Sequence, residues 1–461
     1  MACGRLRSRC NTTNHDDTRV LPSTTLSSPD GETDEPQPGS TTITIDVSFS
    51  WLPRRIWSRG RQGSLPDSPD SGQSAESGES GESTASTVDG QPSHVIIPDG
   101  GSRAWLTVTG GFFICFFMFG ILNAFGSFQN MYTENVAGDF PWTDASPVCL
   151  CFCGGLVSGP LFDKLGSRLP MTMGAGLVSA SLLGSAFSTE FLHYLVCQGV
   201  FFGSGIALLY YPAMGAVTEW FSTKRPLALG IAASGASVGG VIWSSALPVL
   251  ANQISHRILF IILTGIASLL LCLGCWLTIE RQGAAGYDES SEQVQPSQRT
   301  IQSAIFESRF VALASSLVIL YTGILIPCQL LEVYAKELDI QGEVASNLIA
   351  FTYSGSVIGR IGSGLLADTL GCFNILVLTS SMAGAVTLAW IPLRSAAGLI
   401  AFSVLFGILS GGLVPLASAC VARTTRDMGH IGLRIGVLMA FCAVAALGSG
   451  PLGAFILHKA G

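Results

Sequence analysis

Gly159-Pro160-Leu161-Phe162-Asp163-Lys164-Leu165-Gly166-Ser167-Arg168 decides the fold of this chain, because it returns as Gly364-Leu365-Leu366-Ala367-Asp368-Thr369-Leu370-Gly371-Cys372-Phe373. Both copies read Gly-x-x-x-Asp-x-x-Gly. Each lies between apolar segments too long and too poor in charge for a soluble protein. A polar loop repeated at corresponding places in two apolar halves predicts an all-α, polytopic membrane bundle built by duplication, an architecture of many secondary transporters.

Working outward, the apolar segments run over about 105–131, 145–161, 169–188, 191–218, 226–250, 257–279, 310–333, 343–366, 373–392, 396–421 and 433–457. A spanning helix needs about 20 residues, so about eleven spans are expected. Lys164 and Arg168, Lys224 and Arg225, Arg281, Arg299 and Arg309, and Arg423, Arg426 and Arg434 mark every second loop. The intervening loops carry only Arg257, Lys336 and Arg394. This bias puts the N-terminus and the long loop 280–309 in the cytosol. The expected division is a disordered cytosolic tail over 1–98, an N-terminal bundle over 99–279, a linker loop over 280–309 and a C-terminal bundle over 310–461. Duplication leads one to expect two six-helix halves, of which the last helix of the second is missing. The second segment reads as short, with few residues between Pro147 and Pro160. A truncated, non-transporting paralogue or a membrane solute sensor is therefore the alternative to a carrier.

Composition agrees with a membrane protein bearing a polar tail. The 461 residues are 48% hydrophobic and 12% charged, and the mean hydropathy is +0.49 although residues 1–98 pull it down. The net charge of -7 arises mostly in the tail and a few loops, so it gives no sign of a nucleic-acid partner, and none is expected. Repeats such as Ser77-Gly78-Glu79-Ser80-Gly81-Glu82-Ser83 cannot bury enough apolar surface to fold. Within the tail, Phe49-Ser50-Trp51-Leu52-Pro53-Arg54-Arg55-Ile56-Trp57-Ser58-Arg59-Gly60-Arg61 alternates tryptophan with arginine, as segments resting on anionic lipid do, although Pro53 breaks a long helix there. No apolar leader follows Met1, so the first span is expected to act as the anchor, and Asn11-Thr12-Thr13, although it fits the glycosylation pattern, is discounted on a cytosolic tail. Ten of the 13 cysteines fall in apolar segments and read as packing residues. The series Cys149-x-Cys151-x-Cys153 has no histidine beside it and no metal-site spacing. No metal or other cofactor is expected.

These motifs resemble the major facilitator superfamily, whose loop between the second and third helices reads Gly-x-x-x-Asp-Arg/Lys-x-Gly-x-Arg/Lys. Gly159, Asp163, Lys164, Gly166 and Arg168 match every position. Pro98-Asp99-Gly100-Gly101 followed by Ala104-Trp105 looks like the signature that precedes the first helix in the monocarboxylate porter family, in its fungal form. Asn123-Ala124-Phe125-Gly126-Ser127-Phe128-Gln129, Glu219-Trp220-Phe221 with Lys224-Arg225, and Gly359-Arg360 with Ala367-Asp368 add to it. The resemblance implies a carrier that moves a small organic solute, such as a monocarboxylate, a vitamin or a secondary metabolite, by alternating access; without a sorting signal the plasma membrane is the default location and a vacuolar membrane the alternative, and proton coupling is left open. It also places Asn123 where animal members have a lysine and Ser356 where they have an aspartate, whereas Arg360 matches. A lactate-like proton symport is therefore not implied.

Two sets of residues carry the expected mechanism. The first is a conformational latch of Gly159, Asp163, Lys164, Gly166 and Arg168. Asp163 would sit near the N-terminus of the third helix, where the helix dipole favours an anion, and Lys164 and Arg168 would pair with neighbouring helix ends. Asp368 repeats the aspartate, but Thr369 and Phe373 replace the cations, so the second latch should be weaker. The second set is intramembrane. Arg360 is a charge inside a span, which costs several kcal/mol unless paired or hydrated; Glu332, an anionic solute and the membrane surface near Asp368 are its candidate partners. In the superfamily the first, fourth, seventh and tenth helices line the central site, which adds Asn123, Tyr210, Tyr321 and Gln329 to Tyr353 and Arg360 as substrate-binding candidates. Small-residue pairs at Gly235/Gly239, Gly355/Gly359 and Gly407/Gly411 would allow close helix packing. The six histidines lie in the tail, loops or span ends, and no nucleophile-base pair lies within the spans, so an enzyme is not expected.

Overall fold

A computed structural model describes residues 99–124, 145–281, 307–338, 340, 343–425 and 431–460. The tail with its Trp/Arg segment, most of the first inter-helix loop and the centre of the long linker lie outside these residues.

Nearly every described residue is helical. The first rod is α1 (Ser102–Asn123). The second is made of α2 (Ala145–Cys153) and α3 (Gly155–Leu165), the third is α4 (Arg168–Ala186), and the fourth joins α5 (Phe191–Tyr194) to α6 (Gly203–Trp220) through a π-helical segment, Leu195–Phe202. Then come α7 (Arg225–Gln253), α8 (His256–Leu277), α9 (Ser308–Glu337), α10 (Glu343–Leu370) and α11 (Cys372–Ala389). The tenth rod is α12 (Ala396–Gly411) followed by α13 (Leu413–Thr424), and the last is α14 (Ile431–Ala460). Among the described residues, nine helices are long and apolar enough to cross a membrane and the bent second rod makes a tenth. With the 28-residue α10 the described residues form eleven rods. Large apolar side chains also face outward, with Trp276 77% and Ile319 75% exposed; apolar surface on the outside as well as the inside suits lipid.

The second rod corrects one expectation. Pro160 does not end it but lies inside α3, and the rod bends by 42° where α2 meets α3. The 9 residues of α2 and 11 of α3 flank Gly154. The bend falls at Gly154, six residues before Pro160, and the helix continues through the proline to Leu165.

Sequential crossings bring the described lysines and arginines of the alternate loops, namely Lys164, Arg168, Lys224, Arg225, Arg281, Arg309, Arg423 and Arg434, to one end, here called the basic end. The first six rods and the last five meet along two seams: α2 and α3 against α14, and α7 against α10. One apolar core, containing Met214, Val217, Leu229, Phe310, Leu313, Leu416 and Leu438, runs through both sets of rods. A second core of Leu331, Leu348, Leu399, Phe402 and Phe406 belongs to the last five rods alone, and it lies toward the opposite end. The two sets are thus fused at the basic end.

The three glycine pairs pack as their spacing predicts. A Cβ on Gly235 would meet Phe112 of α1. On Gly355 and Gly359 it would meet Val404 and Ile408 of α12, and on Gly407 and Gly411 it would meet Thr352 and Ser356 of α10. Backbones touch at these sites, within each set of rods.

Candidate functional site

The duplicated loop uses each of its three shared residues for one physical purpose, and does so twice. Gly159 lies against Gly432 of α14, and Gly364 lies against α7, where an added Cβ would be 2.8 Å from the Pro226 carbonyl oxygen and 2.9 Å from the Leu227 Cα. Only a residue without a side chain permits that approach. One turn on, Asp163 accepts the amides of Gly432 and Leu433, each at 2.9 Å, and Asp368 accepts the amide of Leu227 at 3.4 Å. These amides are among the unpaired donors at a helix start, where an anion is favoured. Three residues further, Gly166 and Gly371 adopt φ of 75° and 91°, the left-handed region that side chains disfavour. They turn the chain sharply into α4 and α11. Each motif therefore reaches across a seam and caps the fifth rod of the opposite set.

The arrangement differs from the expected one in two respects. The N-terminus of α4 is capped by Glu280, which accepts the Ser167 amide at 2.5 Å, its hydroxyl at 2.9 Å and the Arg168 amide at 2.8 Å; Asp163 is therefore free to reach α14. Lys164 and Arg168 are exposed, and among the described residues neither side chain is paired. The cross-seam bonds rest on the aspartates. Asp368 makes one bond of 3.4 Å where Asp163 makes two of 2.9 Å.

The second seam serves as a ruler from the basic end inward. Leu227 of α7 meets Asp368, Gly230 meets the Arg360 and Gly364 backbone, and the Ala233 carbonyl accepts the Arg360 guanidinium. Further along, the Ala236 carbonyl accepts Asn123 Nδ2 at 3.4 Å, Ser237 donates to Ser356 at 3.0 Å, and Gly240 packs on the Tyr353 ring. At 1.5 Å per residue, Arg360 engages α7 about 9 Å inside the Asp368 contact.

Arg360 is the centre of the intramembrane set. It is half-buried, and its Nε is sealed from solvent with no hydrogen-bond partner. Cys115, Tyr210, Tyr353 and Tyr321 lie within electrostatic reach of the guanidinium. The Tyr321 hydroxyl and Trp243 Nε1 are also buried and unpaired. Rings complete the surround: Phe119 packs edge-on to Tyr210 at 5.1 Å, Phe152 to Tyr321 at 6.0 Å and Phe117 to Trp243 at 5.8 Å. Buried polar groups are normally paired, so the unpaired Arg360 Nε and Tyr321 hydroxyl, within electrostatic reach of each other, are donors suited to an acceptor-bearing ligand. The structure thus groups Tyr210, Tyr321, Tyr353 and Arg360, with Asn123 about one turn away along α7. The backbone of Gln329 lies in α9; its side chain, like that of Glu332, is outside the described residues.

Sequence reasoning missed the reciprocal seam of Gly155 and Gly159 against Gly432 and Gly436. The spacing Gly432-x-x-x-Gly436 was the available signal. It also missed the cap made by Glu280, a single carboxylate near a helix end with no pattern to mark it.

The family model described as Major Facilitator Superfamily matches residues 108–451. The MFS-type transporter pynF of Aspergillus niger is 33% identical over 377 residues, covering 80% of this chain and 86% of the relative. The aspyridones efflux protein apdF of Emericella nidulans is 31% identical, with 80% and 75% covered. The agnestins efflux protein AgnL12 of Paecilomyces divaricatus is 31% identical, with 77% and 81% covered. Among solved structures, FucP in the outward conformation superposes with a TM-score of 0.60 at 18% identity, covering 76% of this chain and 91% of that one. The human organic anion transporter MFSD10 gives 0.58 at 16%, with 76% and 92% covered. These two likenesses concern the fold.

Proposed function

We propose that this chain, which belongs to the major facilitator superfamily, exports a weakly acidic organic solute by alternating access. The observation that carries the solute class is Arg360, a cation deep within the bundle whose unpaired Nε lies within electrostatic reach of the unpaired hydroxyl of Tyr321. A carboxylate, enolate or phenolate on the solute would satisfy both groups, and the surrounding rings favour an aromatic or extended apolar body. Export agrees with the relatives named as efflux proteins for aspyridones and agnestins. Those names make a secondary metabolite the leading class for this chain.

The same reading assigns the bundles 99–279 and 310–461, joined by the linker 280–309, as the two rocking bodies. It takes the basic end as cytosolic, the plasma membrane as the location and the monocarboxylate porter type as the subfamily, on the strength of Pro98-Asp99-Gly100-Gly101 and Arg360. Asp163 and Asp368 are the latch, and the chain is described with that latch closed at the basic end. Solute binding shifts the balance between the closed and open ends. Proton coupling belongs to the proposal, although Ser356 stands where a proton-carrying aspartate would. Uptake of acidic aromatic metabolites into inside-out plasma-membrane vesicles, with and without a pH gradient, tests it; accumulation independent of the protein would sink it.

A further inference from the structure

Each fifth rod is gripped from two sides at the basic end, and the second grip comes from a carboxylate just before the first rod of its own half. Ahead of α1, Asp99 takes a φ of 46° and accepts the amides of Ser222 and Thr223, the latter at 2.7 Å, and the Thr223 hydroxyl at 2.9 Å. This loop runs directly into Arg225, the first residue of α7. Arg225 is buried, donates Nε to the carbonyls of Phe221 at 2.8 Å and Thr218 at 3.2 Å, and lies within electrostatic reach of Asp99. Ahead of α9, Glu307 pairs with Arg434 at 3.1 Å. Arg434, also buried, stands in the first turn of α14, donates to the Thr424 carbonyl at 3.2 Å and lies over the Phe310 ring at 4.9 Å.

The parallel is close. In each half a pre-helix acid and a buried arginine bind the start of the fifth rod to the end of the fourth. The opposite half's aspartate then takes the free amides of that same start: Leu227 by Asp368, Gly432 and Leu433 by Asp163. A buried arginine is an expensive way to pack a helix end, and its recurrence in both halves at the latch amides points to a shared task.

We propose that Asp99 and Glu307 are positioning residues of the basic-end gate, each holding its own half's fifth-rod N-terminus in the attitude onto which Asp368 or Asp163 closes. This rests on the latch reading and extends it, since among the described residues neither acid hydrogen-bonds to the opposite half, although Asp99 lies within electrostatic reach of Asp368. Preorganising the amides lets the gate close without first ordering the receiving turn.

Amide hydrogen exchange on the full-length protein in nanodiscs separates the alternatives. Asp99→Asn should speed exchange about tenfold or more, the scale for losing bonds to a charged group, both at 225–230 and across the seam at 366–371. Glu307→Gln should do the same at 431–436 and at 163–168. Thr223→Val, which removes one bond and keeps Asp99, should give a smaller change in the same places if Asp99→Asn does not fold. Faster exchange confined to 222–224 or to the surroundings of 307, while Asp368→Asn and Asp163→Asn do release the helix starts, would overturn the positioning role. If Asp368→Asn and Asp163→Asn leave those starts unchanged, the latch reading fails and this proposal with it.

Discussion

Asp163 and Gly432 fit one another so closely that a methyl group at 432 would lie 2.6 Å from the carboxylate oxygen Oδ1 that accepts the Gly432 amide. The same methyl would lie 2.6 Å from the Gly159 carbonyl oxygen. Gly432→Ala should therefore part α3 from α14 at the basic end without touching the central site. Transport should fall about tenfold at an unchanged membrane level, with the basic end more accessible to impermeant reagents; wild-type accessibility would show that the seam is not closed in this way.

Asp163→Asn and Asp368→Asn should differ in severity. Asp163 makes two 2.9 Å bonds to α14, against one of 3.4 Å for Asp368 to α7, and bonds from a charged acceptor contribute about 1.5–3 kcal/mol each. Initial-rate measurements should give a loss of about tenfold or more for the first and about two- to threefold for the second. Equal losses would contradict the asymmetric latch.

Tyr321→Phe should impair transport several-fold without lowering the melting temperature. Its hydroxyl is buried and unpaired, so removing it takes away no native bond and relieves a desolvated group. A structural role for the hydroxyl would show instead as a drop in melting temperature.

Acidification should not act through Asp99. Burial alone would raise its pKa, but donation from the Ser222, Thr223 and Lys224 backbone and from the Thr223 hydroxyl holds it below the ordinary value of 3.8. A depressed carboxylate contributes above its unfolded pKa, and that contribution is lost only as pH falls through the lower folded value. The pH profile of Asp99→Asn should thus parallel wild type between about pH 5 and pH 8, at reduced amplitude. A profile changed in shape over that window would place a proton on Asp99.

Much of the fold was legible because membrane helices announce themselves by length and composition, and the duplicated loop by its spacing. Arg360 was legible for the same reason, as a charge that lipid does not tolerate alone. What the local pattern could not supply was partnership over long separations. Asp163 looked like a cap for the next helix, but Glu280, more than a hundred residues away, occupies that end, and Asp163 caps α14 instead. The second span read as short between Pro147 and Pro160, whereas α3, packed against α14, stays helical through Pro160 to Leu165. The glycine pairs within each half read correctly, since close helix packing depends on a spacing visible in one segment. The seam between halves needed both partners at once.

The most direct measurement compares wild type with Arg360→Gln in proteoliposomes, at matched incorporation, across a panel of aliphatic and aromatic organic acids. The account predicts that wild type moves at least one weakly acidic aromatic compound and that Arg360→Gln moves it about a hundredfold more slowly, with the fold intact by melting temperature. Transport by Arg360→Gln at the wild-type rate would contradict the assignment of this arginine to the solute site.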